Sequence, residues 1–322
     1  MTLSASQIGE SVNLPIIDAH HHLWPKGPMG PAYLLPDLLD DLGTVPDVRK
    51  TVYIECGMNY RSGGPDLFRP LGEIEHIVEL TKRQSDAGIT PPIEAVVGHA
   101  DLTAGRRIYQ VVETQLLAGE GMLRGIRHAG ADDPQIDLPF GPCPYPDARF
   151  RQAVGMLGRN NLIYETWHFH PQNDALAELA EAVSETTIVL DHLGCPLGVH
   201  RFDGEQERVF DEWCASIERL AQCDNVFLKL SGLSMRFTGL GWHASNHPPE
   251  VDEIAQKFSR YFLHAIDCFG SRRCMFGSNF PVDRLQFSYE TLWRAYRQCV
   301  AHLPAHERHD LLHDTASRVY GL

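Results

Sequence analysis

A parallel (β/α)8 barrel in one domain is predicted by three observations. Eight short apolar runs punctuate the chain, amphipathic segments of helical period lie between them, and most of the runs end in polar or ionisable residues. The 322 residues suit one α/β barrel with insertions and can bury a large core without staples. A doubly wound open sheet is the competing reading. It is disfavoured because no G-x-G-x-x-G follows the first run.

The runs, in order, are Ile16–His20, Thr51–Cys56, Ile93–Gly98, Leu123–His128, Leu162–Thr166, Thr187–His192, Val226–Ser231 and Cys274–Asn279. Each is short enough for a strand and apolar enough to be covered on both faces. Helical spacing marks Arg106–Leu117, Asp174–Ser184, Glu207–Ala221 and Asp252–Phe269, and places Phe258, Phe262 and Phe269 in the core. The longer Pro/Gly-rich stretches, at 25–36, 57–70, 129–146 and 238–249, all follow strands. In a barrel those connections build the active face. One domain therefore covers 1–322, with the barrel starting at about residue 16.

Lys+Arg 28 against Asp+Glu 42 gives a net charge of -14, a field that repels phosphate backbones. Nucleic acid is excluded as a partner on that ground. No apolar run approaches the ~20 residues of a membrane span, so no membrane partner is expected. The polar stretch Met1–Pro15 lacks the build of a signal peptide. Eight cysteines without a C-x-x-C pair fit a reducing cytoplasm rather than a disulfide framework or zinc ribbon. The unusual count is 17 histidines.

The sharpest segment is Asp18-Ala19-His20-His21-His22. Strand alternation puts Asp18, His20 and His22 on one face and Ala19 and His21 on the other. Two imidazoles side by side at a barrel mouth suit a metal or a polarised carbonyl. His192, at a strand end, suits proton transfer. Arg124 and Arg127 have an odd separation, which predicts opposite faces; Arg127 is the one expected in the mouth, where its fork suits a carboxylate or an oxyanion. Further candidates for substrate contact are His168 after the fifth run, Tyr60 and Arg61 after the second, Glu55 and Lys229. For Glu55 and Lys229 the competing reading is a structural ion pair inside the barrel.

Asp-Ala-His-His-His-Leu-Trp at 18–24 resembles the first-strand H-x-H motif of the amidohydrolase superfamily. Four later segments are similar to the same branch: Leu123-Arg-Gly-Ile-Arg-His128, Val189-Leu-Asp-His-Leu-Gly-Cys-Pro196, Leu228-Lys-Leu-Ser-Gly232 and Met275-Phe-Gly-Ser-Asn-Phe-Pro-Val282. That branch is the amidohydrolase-related TIM-barrel hydrolases, which include sugar lactonases and 2-pyrone-4,6-dicarboxylate lactonase. Thr315–Tyr320 resembles its closing helix. The resemblance implies hydrolysis of a cyclic ester. It assigns His20 and His22 to the H-x-H pair, His192 to the strand 6 histidine and Arg127 to an anion-binding position. Asn279 departs from the pattern, because most of the superfamily has an aspartate there as general base or metal ligand. An amide cannot take a proton near neutral pH. Asp283, four residues on, either restores the missing carboxylate or caps the next helix. The fourth run holds no lysine to be carbamylated, which argues against a bridged two-metal centre.

The expected protein is a lactonase that opens a small sugar-derived or carboxylated lactone by water attack. Its expected cofactor is either none or one divalent metal, Zn2+ held by His20 and His22, with Asn279 weakening retention. Two alternatives stay open: a metal-dependent decarboxylase on the same barrel, and an inactive small-molecule binder. The partner expected is a small-molecule substrate; a homo-oligomer is left open.

Overall fold

The computed structural model describes residues 14–25, 30–90, 92–243 and 245–322, so nearly all of the N-terminal stretch 1–15 lies outside the described residues. Eight strands follow one another: β1 Ile16–His21, β2 Val48–Ile54, β3 Ile93–His99, β4 Leu123–Arg127, β5 Ile163–Thr166, β6 Ile188–Leu190, β7 Val226–Leu230 and β8 Cys274–Phe276. All neighbours pair in parallel, in the order β1 to β8. The segment just past β8 brings the two ends of the sheet together. Asn279 N–H donates to the His20 carbonyl and His22 N–H to the Phe280 carbonyl, both at 2.8 Å.

A helix follows each strand: α1 Leu35–Thr44, α2 Leu71–Asp86, α3 Ile108–Ala118, α4 Ala148–Arg159, α5 Asn173–Ala182, α6 Gln206–Ala221, α7 Val251–Phe269 and α8 Tyr289–Val300. The sequence supplies stop and start signals where they are needed. Asp147 caps α4, accepting from Arg149 N–H at 2.7 Å and Phe150 N–H at 2.9 Å, and Ser288 caps α8 from Thr291 N–H at 3.1 Å. After α9 (Ala305–His309) and a π turn (Asp310–Asp314), α10 (Thr315–Tyr320) closes the lower end. No described helix is long and apolar enough to cross a membrane.

The apolar residues form three layers. Ile17, Ala19, Val52, Ile54, Val97, Ile163, Val189 and Met275 fill the barrel and rest on Ala316 and Tyr320 of α10. A larger layer, including Phe258, Phe262 and Phe269, packs between sheet and helices. Above the mouth, Phe169, Cys195, Leu197, Phe202, Met235 and Phe237 form a lobe from the connections that follow β5, β6 and β7.

Two strand-phase expectations are corrected here. Asp18 pairs with Thr51 and His21 with Tyr53, so β1 carries one residue more than β2 between these pairs. This bulge resets the alternation. Asp18 turns out of the barrel and accepts from Tyr289 Oη at 2.9 Å, while Ala19 joins the interior. A similar irregularity separates Leu123 from Gly125 in β4. Arg124 accordingly reaches the closing helix, donating to the Tyr320 carbonyl at 2.6 Å.

Candidate active site

The side chains at the mouth come from loops and strand ends that the local backbone aims inward. Gly277 leaves room for β1, since a Cβ there would lie 2.7 Å from His20 Cβ. The sixth run ends as a strand at Leu190, not at His192. His192, Leu193 and Cys195 all have positive φ, at 55°, 58° and 36°, with Gly194 between them at 63°. Each non-glycine in that region costs on the order of 1–2 kcal/mol. Gly232, at φ 68°, lies against the His192 ring, where a Cβ would come within 2.6 Å of Cγ. Asn279 also lies beyond its strand and has φ 55°, a conformation asparagine tolerates.

His20, His22 and His192 face one another. The Nε2 atoms of His20 and His22 are 3.2 Å apart, and the rings of His20 and His192 are 4.5 Å apart between centroids. Nδ1 of His22 sits 2.8 Å from the Ile54 carbonyl. A carbonyl only accepts, so this nitrogen carries the hydrogen and Nε2 offers a lone pair. Trp24 stacks on the same ring at 5.8 Å. His192 Nδ1 lies 2.8 Å from Ser231 Oγ. Burial keeps all three imidazoles neutral, pushing His192 down to about 3 and His20 and His22 well below their ordinary value.

Beneath and beside these rings is a network of ionised groups. Lys229 Nζ lies 2.5 Å from Glu165 Oε1, 3.2 Å from Asp191 Oδ1 and 3.2 Å from His20 Nδ1. Tyr320 Oη donates to Glu165 Oε2 at 2.8 Å. Arg127 donates through Nε to Glu55 Oε1 at 2.7 Å and through Nη1 to Asp191 Oδ2 at 3.2 Å. Burial and the Asp191 charge push Glu165 up. Burial opposes ionisation of Asp191 too, but Lys229 and His20 hold it well below the usual carboxylate range. Burial raises the Tyr60 phenol, and the nearby Glu55 charge adds to the shift.

Asn279 gives its side-chain N–H to Asp283 Oδ1 at 3.0 Å. Asp283 is wholly buried, and burial pushes its carboxyl up to about 7. It therefore sits on Asn279 and is not grouped with the histidines. The carboxylate beside the histidines is Asp191 instead. Its Oδ1 is buried between Lys229 Nζ at 3.2 Å and His20 Nδ1 at 3.3 Å, and His20, Asp191 and His192 offer ligand atoms within 4.8 Å of one another. The 3.2 Å between His20 and His22 Nε2 is also close to the ~3.3 Å that two imidazole nitrogens have on one tetrahedral zinc with bonds of ~2.0–2.1 Å. This donor set fits a single divalent ion.

Three expected substrate contacts are moved elsewhere by the structure. His168 is buried with Tyr145 Oη and Asn173 Oδ1 each 2.7 Å from its ring nitrogens, so it braces the connection after β5. Arg61 is an outer residue paired with Glu75. Lys229 has no exposed surface and is the ion-pair centre described above. Asp191, Glu165 and Ser231, polar residues at the ends of their runs to which the sequence reading assigned no role, join the site, and Tyr320 joins it from the closing helix without having been a candidate. Two cations at the ends of barrel runs, Arg127 and Lys229, were the available signal for Asp191 and Glu165, since charges withdrawn from water need partners.

A model of the amidohydrolase family matches residues 17–322. An L-fucono-1,5-lactonase of Burkholderia multivorans is 32% identical over 231 residues, spanning 71% of this chain and 72% of that protein. A crystal structure of an amidohydrolase from Burkholderia multivorans with bound zinc is 26% identical, superposes with a TM-score of 0.73, and covers 96% of this chain and 99% of that one. A crystal structure from Pseudomonas putida, described as a putative 2-pyrone-4,6-dicarboxylic acid hydrolase, shares the fold at a TM-score of 0.60 and 17% identity, covering 96% of this chain and 98% of that one.

Proposed function

The chain belongs to the amidohydrolase family, and from that premise we propose that it is a lactonase, opening a cyclic ester by water attack at the mouth formed by His20, His22 and His192. The observation that carries this reading is the convergence of three imidazoles at the barrel mouth beside the buried Asp191 carboxylate. The lactonase names of relatives at 32% and 26% identity support it.

His20, His22 and Asp191 would hold a divalent ion; when bound, such an ion polarises a carbonyl or lowers the pKa of water. The chain's own groups do the rest. Asn279 gives its N–H to Asp283, which leaves its carbonyl oxygen to orient the attacking water. His192 takes the water's proton at Nε2, with Ser231 holding Nδ1 and the Asp191 charge favouring the imidazolium. The same proton is delivered to the ring oxygen as the acyl–oxygen bond breaks. The result is one open hydroxy acid per water consumed. The near-complete burial of His20, His22 and His192 excludes bulk water from this exchange.

A pH-indicator assay over a lactone panel, run beside metal analysis of the purified protein, tests the proposal. His22→Ala should lower turnover by 100-fold or more, in line with the ~2.7–4 kcal/mol typical of losing one polarising group. Near wild-type turnover in a folded His22→Ala protein would remove the H-x-H pair from the mechanism.

A further inference from the structure

The charge balance of the mouth discriminates between two kinds of lactone. Three carboxylates, Glu55, Glu165 and Asp191, meet two fixed cations, Arg127 and Lys229. Neither cation has charge to spare. Lys229 is sealed among Glu165, Asp191 and His20. Arg127 engages all three of its nitrogens: Nε with Glu55 Oε1, Nη1 with Asp191 Oδ2, and Nη2 with the Glu55 carbonyl at 2.5 Å. In the surrounding connections Arg61 is paired with Glu75, Arg201 with Asp133, and Arg284 with Asp37 and Asp41, while Arg236 lies over the Phe237 ring.

Solvent reaches this network on one side. His20 and Asp191 are fully enclosed, whereas the side chains of Arg127 and Glu55 keep 13% and 15% of their surface. Glu55 Oε1 is taken by Arg127; its Oε2 takes no hydrogen bond among the described residues. A fixed carboxylate oxygen facing an entry is an acceptor for a substrate hydroxyl. An incoming carboxylate would have to pull Arg127 away from Glu55, leaving Glu55 without its cation beside Asp191.

We propose that the substrate is an uncharged, hydroxylated lactone and that Glu55 selects it, its Oε2 accepting a hydroxyl while its Oε1 keeps Arg127 from binding a substrate carboxylate. This inference rests on the lactonase reading and narrows it. Arg127 then acts as a positioning residue for Glu55 and Asp191, and does not bind the substrate's anionic group.

Three probes test it on the full-length protein: glucono-1,5-lactone, a lactone bearing a free carboxylate such as isocitrate lactone, and δ-valerolactone, which has neither. Turnover is read with a pH indicator and binding by ligand-induced thermal shift. The hydroxylated lactone should exceed the carboxylated one on the order of 100-fold in kcat/KM, given the cost of juxtaposing like charges. Glu55→Gln should lower kcat/KM for the hydroxylated lactone about tenfold more than for δ-valerolactone, and raise the carboxylated lactone relative to both at least severalfold, because Arg127 is released. Preference of wild type for the carboxylated lactone overturns the inference, as does a Glu55→Gln protein with unaltered selectivity. If no lactone is turned over, the lactonase reading fails on its own. The thermal shift then still decides the charge preference: stabilisation by the carboxylated probe alone overturns it, and by the hydroxylated probe alone upholds it.

Discussion

Lys229→Met tests whether the buried ammonium holds the barrel centre together. The residue is wholly enclosed and lies 2.5 Å from Glu165 and 3.2 Å from Asp191. At an effective dielectric of ~20, each of these contacts is worth about 5–7 kcal/mol of Coulomb attraction, offset by several kcal/mol of desolvation for every ion. Methionine fills much the same volume but leaves two carboxylates facing each other. Glu165, already pushed up by burial and by Asp191, then takes a proton, which caps the cost. Breaking a buried pair by removing one partner costs roughly 3–5 kcal/mol. At roughly 2 °C per kcal/mol for a chain of this size, the melting temperature should fall by about 6–10 °C. Circular dichroism melts of wild type, Lys229→Met, Glu165→Gln and the double variant check this. The double variant should lose less than the sum of the single losses, by 0.5–3 kcal/mol. A Lys229→Met protein that melts within 1 °C of wild type would refute the reasoning. If that protein also showed a raised KM, the ammonium would be a substrate contact.

Gly232→Ala should place a methyl 2.6 Å from the His192 ring at a backbone φ of 68°, displacing the imidazole. We expect a loss of roughly 1–2 kcal/mol from the backbone alone and a fall in kcat larger than any change in KM, read by melts and steady-state kinetics. Asp283→Asn should flatten the pH dependence of stability. The native carboxyl is raised from 3.8 to about 7, so the folded state binds more protons than the unfolded one in that window. Wild-type stability therefore falls as pH rises from about 4 to about 7, by on the order of 4 kcal/mol, and urea titrations of the variant should lack that slope. Asn279→Asp should raise Zn2+ affinity by adding an anionic ligand near the histidines, but it also sets a second carboxylate against Asp283 at hydrogen-bond distance. Calorimetry with Zn2+ should find tighter binding and melts should find lower stability, with Asn279→Asp/Asp283→Asn recovering the stability.

The barrel and the position of its mouth were legible in the chain itself because they depend on local patterning. A run of β-branched and apolar residues bounded by turns reads as a buried strand wherever it occurs, and eight such runs separated by helical periods have few other ways to cover both sheet faces. His20, His22, His192 and Asn279 could be named because each follows such a run. Tertiary structure decided the rest through two effects that patterning does not carry. One is backbone irregularity: the extra residue between Asp18 and His21, and the positive φ of His192, Leu193 and Cys195, re-aim side chains that strict alternation assigns to other faces. The other is charge pairing across the ring. Glu55 meets Arg127, Glu165 meets Lys229, and Tyr320 at the end of the chain meets Glu165 from 155 residues away. Only closure of the sheet brings these groups together, and only then does desolvation force each buried charge to find its partner.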